Sequence, residues 1–547
     1  MKTGGELVVE VLRSQGVDRI FGVPGESFLA VLDALVDVPA PEFIGAKHEG
    51  AAAFMADADG KLTGRPGVAM VTRGPGATNA AAGVHVAQQD STPMLLLVGL
   101  IGRGDTEREA FQEFDLKAVF GSMAKFVCTI NDAARIPELL TQAMRTAMSG
   151  RPGPVVVGLP EDMLRDRVEA AVPTFADPVQ GGLSASDAAA ISDMLAEAKR
   201  PLIIAGGETW TDAARTNLAR FAEHWGVPVG SSFRAQDRLS NTHPNYAGHI
   251  GLSIDPALAK RVQNADLLLV LGARLGDCTT SGYTLIDAPM PKQKIIHIHP
   301  SAEEPGRVYA PALAYSSGMD AALAGLAALK APTQVNWQGT AATAHQEFLD
   351  WSIPDDGATP LNLSHVIGHL SNTLPDDAVL TNGAGNYAIW LHRFYRYRGY
   401  RTQLAPTSGS MGYGLPAAIA AKLRHPDRPV ICLAGDGCFQ MVSQELATAK
   451  QYGANIIVLV INNGTYGTIR MHQERSYPAR ISGTDMHNPD FVALAKAYGF
   501  AAARVTATDQ FGPVFDEMLA AGGPALIELV TDAEAITPST TITKLRG

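Results

Sequence analysis

Oxygen-bearing side chains follow two neighbouring apolar segments in the last third of the chain. Asp436 stands in a Gly-Asp-Gly turn after the apolar run VICLA (430–434), and Asn463 follows the apolar run NIIVLVI (455–461). The whole stretch has the pattern of strand, turn, helix, strand and polar turn. Because the carboxyl ends of parallel strands meet at one edge of a sheet, where open α/β sheets bind ligands, the two turns are predicted to lie together.

The donor atoms at these turns suit a hard divalent cation next to a phosphate. Asp436 offers a carboxylate oxygen, Asn463 an amide oxygen and Thr465 a free backbone carbonyl, an oxygen set suited to Mg²⁺ or Ca²⁺. Gly437 lets the backbone approach a phosphate, and a helix predicted to begin near Cys438 directs its amides at the anion. The pattern predicts a cradle for a metal ion and a diphosphate, with an ordinary strand-turn-helix as the plain alternative.

Composition narrows the class of protein. A chain of 547 residues with 46% hydrophobic and 18% charged residues is too long for one core and suits an α/β enzyme of several domains. The net charge of −11 without a basic cluster argues against nucleic acid as a partner. No apolar run approaches the length of a membrane span, and four cysteines without a CxxC pair indicate a reduced, cytoplasmic protein.

Apolar strands alternate with helical segments along most of the chain, which predicts an α/β protein with doubly wound, mainly parallel sheets. We expect a first domain over residues 1–175, a central domain over 183–331, a linker over 332–358 that carries one helix, and a third domain over 359–547 that ends in a tail or lid. The first and third domains share an architecture without an obvious sequence repeat.

The combination of Gly-Asp-Gly, an intervening helix and strand, and Asn-Asn resembles the diphosphate-binding signature of thiamine diphosphate (ThDP) enzymes. The order of elements resembles the three-domain family that includes acetolactate synthase, pyruvate oxidase, benzaldehyde lyase and the 2-oxo acid decarboxylases, over nearly the whole chain. The resemblance implies a pyrimidine-binding first domain, a Rossmann-like central domain and a diphosphate-binding third domain, with ThDP and Mg²⁺ as cofactors.

The resemblance also assigns roles to residues of the third domain. Asp436, Asn463 and Thr465 are the implied metal ligands. Met411 matches the bulky residue that holds ThDP in a bent form, and Gly409 matches the residue whose carbonyl lies beside N4′. The implied cofactor contacts of this domain are Gly409, Met411, Gly435, Gly437, Cys438, Thr465, Tyr466 and Gly467.

Glu49 begins an Ala-rich helix in the first domain. Alone, it is a glutamate favoured by the helix dipole. In the family, a glutamate at this place is catalytic: it shares a proton with N1′ of the aminopyrimidine. The loop TRGPGATN (72–79) reads as a turn before a capped helix, and it is also similar to the family's cofactor loop, which implies contacts from Gly74, Pro75, Gly76 and Asn79.

The segment AFQEFD (110–115) resembles the stretch that supplies pocket residues in acetolactate synthases. It implies that Phe111 and Gln112 face the reacting carbon, with Gln112 donating to a substrate oxygen; an amphipathic loop with a solvent-facing glutamine is the alternative. Pro24 and Glu26 match a turn near the substrate, although Glu26 also reads as a residue of a helix start.

Two departures bear on specificity. His472 stands where biosynthetic acetolactate synthases carry a tryptophan, either as a pocket acid-base group or as a surface residue. The central stretch GARLGDCTTSGY (272–283) replaces their Arg-rich FAD-contacting segment, so FAD or ADP in the central domain stays open and FAD is the less favoured.

The resemblance favours a carboligase of acetolactate synthase type, which decarboxylates a 2-oxo acid and transfers the acyl carbanion to a second carbonyl. A 2-hydroxyacyl-CoA or hydroxyketone lyase and a simple 2-oxo acid decarboxylase are the alternatives. A non-enzymatic scaffold would be expected to lose Glu49, and no G-x-G-x-x-G follows the first strand as in a Rossmann oxidoreductase. The family builds its site between subunits, which implies a homodimer or homotetramer.

Overall fold

The computed structural model describes residues 1–174, 177–355 and 359–547 and contains three parallel sheets of six strands each. The central strands are short apolar runs with no exposed face, such as Leu267–Leu271 and Pro154–Pro160, in which every residue is buried, whereas edge strands such as Leu313–Ser316 are partly exposed. Burial on both faces by helices is the arrangement that continuous apolar strands require. The prediction of three doubly wound α/β domains is confirmed.

The first domain alternates strands and helices from its N terminus to Pro160. Its strands are Arg19–Gly22, Glu42–Gly45, Gly67–Val71, Met94–Leu100, Phe126–Thr129 and Pro154–Pro160, and its α-helices are Gly4–Ser14, Leu29–Val36, Glu49–Thr63, Pro75–Asp90, Leu116–Phe120 and Ile136–Met148. The helix expected from Glu26 begins instead as a 3₁₀ turn, Glu26–Phe28. Lys2–Thr3 pairs with Arg167–Val168 as a small separate ribbon.

The central domain follows with its own sheet and core. Its strands are Pro201–Ala205, Val229–Ser232, Tyr246–Ile250, Leu267–Leu271, Lys294–His299 and Leu313–Ser316, and its α-helices are Ala185–Glu197, Asp212–Trp225, Pro256–Asn264 and Met319–Ala327. Numbered along the chain, these strands lie in the order 3-2-1-4-5-6. This order is that of a Rossmann fold. One helix, Thr340–Trp351, lies in the stretch predicted as a linker.

The third domain has the same strand order as the first, 2-1-3-4-6-5. Its strands are Val379–Asn382, Gln403–Leu404, Val430–Gly435, Ile457–Asn462, Ala501–Val505 and Ala525–Val530, and its α-helices are Leu363–Thr373, Tyr387–Phe394, Gly414–Arg424, Asp436–Gln440, Glu445–Gln451, Gly467–Ser476, Phe491–Ala497 and Thr508–Ala521. The helix predicted to begin near Cys438 thus begins at Asp436, two residues before the predicted start. The predicted tail forms the ribbon Ala535–Thr537 and Thr540–Thr541 and the helix Ile542–Arg546.

The first and third domains share one hydrophobic core within the chain. The Ala-rich helix Glu49–Thr63 packs on the helix Gly414–Arg424, and small buried residues such as Ala56 and Ala417 let the two backbones come close. The predicted boundary at residue 175 and the linker end at 356–358 lie outside the described residues. Among the described helices, none is long and apolar enough to cross a membrane.

Candidate active site

A cavity of about 540 Å³ opens at the carboxyl edge of the third sheet, between the strands that end at Gly435 and Asn462. All the site residues predicted in the third domain except His472 line it: Gly409, Met411, Gly435, Asp436, Gly437, Cys438, Asn463, Thr465, Tyr466 and Gly467. These residues come from three separate segments, which adjacent parallel strands bring to one place. The exposed His472 lies outside the cavity lining, on the helix Gly467–Ser476.

Asp436 is buried, with 3% of its surface exposed, and each of its oxygens accepts a backbone N–H. Oδ1 accepts from Gly437 N at 2.8 Å and Oδ2 accepts from Gly464 N at 2.8 Å. Burial raises the pKa of this carboxyl above its ordinary value, although the hydrogen bonds to it act in the opposite direction. A buried carboxylate of this kind is stabilised by a nearby cation.

The turn after the next strand presents the other predicted donors. Asn463 Oδ1 accepts from Thr465 N at 3.1 Å. The Thr465 carbonyl is not free as predicted, because it accepts from Gly467 N at 2.8 Å, and its second lone pair is what it can offer to a cation. The described residues contain no cluster of three or more His, Cys, Asp or Glu side chains that could hold a metal. The candidate set here is instead one carboxylate, one amide and one carbonyl, which fits Mg²⁺ shared with phosphate oxygens.

Glycine at position 437 leaves room that a side chain would fill. A Cβ there would lie 2.6 Å from Cε1 of Tyr466, so only glycine lets the backbone at the helix start lie against this ring. Next to it, the buried Cys438 thiol accepts from Gly412 N at 3.0 Å and holds the loop that carries Met411. The oxygen donors of the cavity therefore fit a metal ion that is bound with a diphosphate.

Sequence reasoning missed several residues that line this cavity or contact its lining. Asn488 donates to Asp436 Oδ2 at 2.8 Å from a loop 52 positions along the chain. Asn386, on the cavity wall, donates to Ile536 O at 2.9 Å and so connects the wall to the C-terminal tail, whose Lys544 also lines the cavity. No local pattern marks these residues, because their contacts come from distant segments.

The first-domain residues form a second cluster around Glu49. Asn79 donates to Glu49 Oε2 at 2.9 Å, and a Cβ on Gly76 would lie 3.3 Å from Glu49 Oε1. Glu49 is the first residue of its helix, where the dipole favours a carboxylate, and it is half-buried. The predicted loop and the predicted glutamate thus meet in the structure.

Arg73, which sequence reasoning missed, connects the remaining residues of this cluster. Only 7% exposed, it donates to Glu26 Oε1 at 3.1 Å and to the carbonyl of Phe111 at 3.2 Å. Gln112 has a positive φ of 65°, a conformation that costs a non-glycine residue about 1–3 kcal/mol, and its carbonyl packs on Gly74. Phe111 is 73% exposed.

The two clusters lie apart within one chain. The cavity lining contains no residue of the first domain, and Pro24, Glu26, Pro75, Asn79 and Phe111 are all exposed.

Two glycines approach closely at the edge where a doubly wound central sheet would bind a nucleotide. This edge lies beyond the ends of Pro201–Ala205 and Leu267–Leu271, where a Cβ on Gly207 would lie 2.1 Å from Gly272 O. Trp210 is buried there and donates to Gly206 O at 2.6 Å. A cavity of about 130 Å³ beside Arg274 is well below the several hundred Å³ of typical cofactor sites.

Comparison with known proteins gives matches along the whole chain. The thiamine pyrophosphate enzyme family matches in three parts: its N-terminal TPP binding domain over residues 2–119, its central domain over 188–326 and its C-terminal TPP binding domain over 383–529.

Curated relatives resemble the chain over nearly its full length. The acetolactate synthase isozyme 1 large subunit of Escherichia coli is 32% identical over 545 residues, which cover 97% of this chain and 94% of the relative. The acetolactate synthase of Mycobacterium bovis is 31% identical, covering 97% and 88%. The acetolactate synthase large subunit of Corynebacterium glutamicum is 32% identical, covering 97% and 87%.

Proposed function

Because the chain belongs to the thiamine pyrophosphate enzyme family, whose members use ThDP to form or cleave C–C bonds, we propose that it is a Mg²⁺-dependent carboligase of acetolactate synthase type. It decarboxylates a 2-oxo acid and transfers the acyl carbanion to a second carbonyl. The observation that carries this proposal is the oxygen-lined cavity at Asp436 and Asn463, together with similarity to acetolactate synthases over 97% of the chain.

Each cluster has a separate task in this proposal. Asp436, Asn463 and the Thr465 carbonyl hold the cation, while the backbone at Gly437 binds the diphosphate. When bound, ThDP supplies a carbanion nucleophile and accepts the electron pair left by departing CO₂. Glu49 holds and shares a proton with the aminopyrimidine, in the manner of a positioned acid-base group.

Substrate contacts come from the same surface as Glu49. Gln112 donates to the substrate oxygen, and Phe111 packs against the reacting carbon. Pro24, Glu26 and His472 are weaker candidates for the pocket.

The protein acts as a homodimer or homotetramer in this proposal. Glu49 and Asp436 of one chain then serve different cofactors, and water is excluded when the exposed first-domain cluster covers a partner's cavity. The central domain has a structural role in this proposal, and of the two nucleotides that it could hold, FAD is less favoured than ADP.

A lyase acting on a 2-hydroxyacyl-CoA or a hydroxyketone is the second candidate. The observation that favours it is that the cavity continues to the C-terminal tail, where Lys544 and the exposed Ser539 line it. The positively charged side chain of Lys544 suits a substrate with a phosphorylated extension, such as a 2-hydroxyacyl-CoA. A small 2-oxo acid has no such extension.

The test is an assay of the protein loaded with ThDP and Mg²⁺ against pyruvate and a panel of 2-oxo acids, with CO₂ measured and products identified by mass spectrometry. We expect a hydroxyketone or a 2-hydroxy-3-oxo acid, lost in Glu49→Gln and Asp436→Asn. Free aldehyde alone would identify a decarboxylase. No turnover of any 2-oxo acid by ThDP-bound protein would refute the carboligase and favour the lyase.

A further inference from the structure

A chain of polar side chains runs across the carboxyl half of the third sheet and ends on Asp436. Asn488 Nδ2 donates to Asp436 Oδ2 at 2.8 Å and to Asn462 Oδ1 at 2.8 Å. Asn462 Nδ2 donates in turn to Glu528 Oε1 at 2.7 Å, and Arg504 Nε donates to Glu528 Oε2 at 2.7 Å. Arg504 and Glu528 are directly paired on adjacent strands. This series of hydrogen bonds therefore connects Asp436 to rigid strands of the same sheet.

The contacts of Asn488 allow only one orientation of its amide. Its two N–H hydrogens are directed at two oxygens, while its own Oδ1 accepts from Gln440 Nε2 at 2.8 Å. The reversed amide would place its carbonyl against a carboxylate oxygen and a second carbonyl oxygen, which repel it. Asn462 is oriented likewise, because its Nδ2 donates to the buried Glu528 carboxylate.

This arrangement makes the two oxygens of Asp436 unequal. Oδ2 accepts two N–H groups at 2.8 Å, from Gly464 and from Asn488, whereas Oδ1 accepts one at that distance, from Gly437. A carboxylate oxygen can accept about two partners, so Oδ1 keeps a lone pair for a cation.

We propose that Asn488 is a positioning residue of the cation site: it holds Asp436 through Oδ2 and leaves Oδ1 for the ion. Asn462, the first residue of the Asn-Asn turn, is not a metal ligand in the proposed function. Here it orients the side chain of Asn488. The inference rests on the proposed cation site, but not on the identity of the substrate. Side chains that orient a metal ligand in this way typically contribute about 10–100-fold to metal affinity.

The test compares Asn488→Ala with His487→Ala, an exposed neighbour in the same loop. Binding of MgCl₂ is measured by calorimetry at saturating ThDP, and the Tm of each cofactor-free protein is recorded. We expect the Kd for Mg²⁺ to rise about 10–100-fold in Asn488→Ala and to stay unchanged in His487→Ala. The Tm without cofactor should remain near that of the wild type, which a merely structural role would not allow.

A second variant keeps the test decisive if Asn488→Ala does not fold. Asn462→Ala leaves the Asn488–Asp436 bond in place but removes one of its supports, so the Kd for Mg²⁺ should rise by a smaller factor. The two effects should be non-additive in the double variant, since both act through one chain of hydrogen bonds.

Wild-type affinity for Mg²⁺ in both single variants would overturn the proposal, as would a wild-type protein that binds no Mg²⁺. Wild-type protein that binds Mg²⁺ and ThDP but turns over no 2-oxo acid would refute the proposed reaction alone. The positioning role of Asn488 would then stand on its binding measurements.

Discussion

Two carboxylates, Asp436 and Glu49, begin helices in different domains, and their surroundings differ. Asp436 is nearly inaccessible and is held by backbone N–H groups, whereas Glu49 is half-buried and has one amide partner, Asn79. The rigid fixation of Asp436 suits a ligand of a cation, because a metal site needs a constant geometry. The less enclosed carboxyl of Glu49 suits its proposed contact with the aminopyrimidine ring of a cofactor that is bound to another subunit.

The Glu49→Gln substitution removes the proton-holding group and keeps its shape. We expect kcat to fall about 10²–10⁴-fold, the usual contribution of a positioned acid-base group, while the Kd for ThDP changes little. Steady-state kinetics and calorimetry measure the two quantities separately. Equal loss of binding and turnover would contradict the catalytic role and indicate a structural one.

The burial of His249 should make the stability of the fold depend on pH. Burial lowers its pKa to about 4, and its ring lies 5.2 Å from that of the buried His392. The unfolded chain takes up this proton near pH 6.5, so between about pH 6.5 and pH 4 it binds more protons than the folded chain, and stability falls as the pH falls.

We therefore expect the Tm to decrease from pH 7 to pH 5 and to decrease less steeply in His249→Gln. The exposed His85 supplies a control, His85→Gln, which should retain the wild-type slope. If the Tm of His249→Gln depended on pH as the wild-type Tm does, the burial of His249 would not control stability at low pH.

A buried charged cluster holds together helices and a loop of two domains. Lys61 lies 3.0 Å from Asp57 Oδ2 and also pairs with Asp90, while Tyr413 donates to Asp57 at 2.7 Å. Asp90 accepts from Thr407 N at 2.7 Å. The helices that begin near Glu49 and Gly76 are thereby tied to the loop that leads to Gly409.

Replacing Lys61 by Met should leave two buried carboxylates without their cation. Opposite charges raise the pKa of Lys61 well above its usual value despite burial, so it is charged at neutral pH. Breaking a buried pair costs about 3–5 kcal/mol, so we expect a marked drop in Tm for Lys61→Met. Asp90→Asn should cost less, because Lys61 keeps Asp57; an equal or greater loss there would contradict this ranking.

The segment before Glu49 is supported by the third domain as well. Glu445, fully buried, accepts from Lys47 N at 3.0 Å, and Tyr452 OH accepts from Gly45 N at 2.7 Å. The first-domain strand that ends at Gly45 and the turn at Lys47 are thus stabilised by hydrogen bonds to side chains of the third domain. The position of Glu49 therefore depends on the packing of both domains within one chain.

Across the whole molecule, the separation of the Glu49 cluster from the Asp436 cavity predicts a site shared between chains. Mixing two inactive variants, Glu49→Gln and Asp436→Asn, then yields heterodimers with one intact site. Random exchange between subunits should restore roughly a quarter of wild-type activity if a C₂ dimer is the functional unit. Activity that stays absent after verified exchange would place both residues in a site of one chain.

Much of this protein could be predicted from local pattern. Continuous apolar runs ending in Gly-Asp-Gly and Asn-Asn indicated buried parallel strands, and therefore that Asp436 and Asn463 would meet at one edge. The Ala-rich helix after Glu49 and the loop at Gly76 were also readable, because small residues and turn residues act over a few positions. Their roles toward a cofactor remain predictions that the experiments above test.

The amino-acid sequence by itself determined the three-sheet architecture and the oxygen-rich turns, since strand burial and turn chemistry depend on neighbouring residues. Only the tertiary structure decided which distant groups contact one another: Asn488 with Asp436, Arg73 with the carbonyl of Phe111, and the backbone at Gly207 with that at Gly272. These contacts join segments tens to hundreds of positions apart, so side-chain packing, rather than any periodicity along the chain, specifies them.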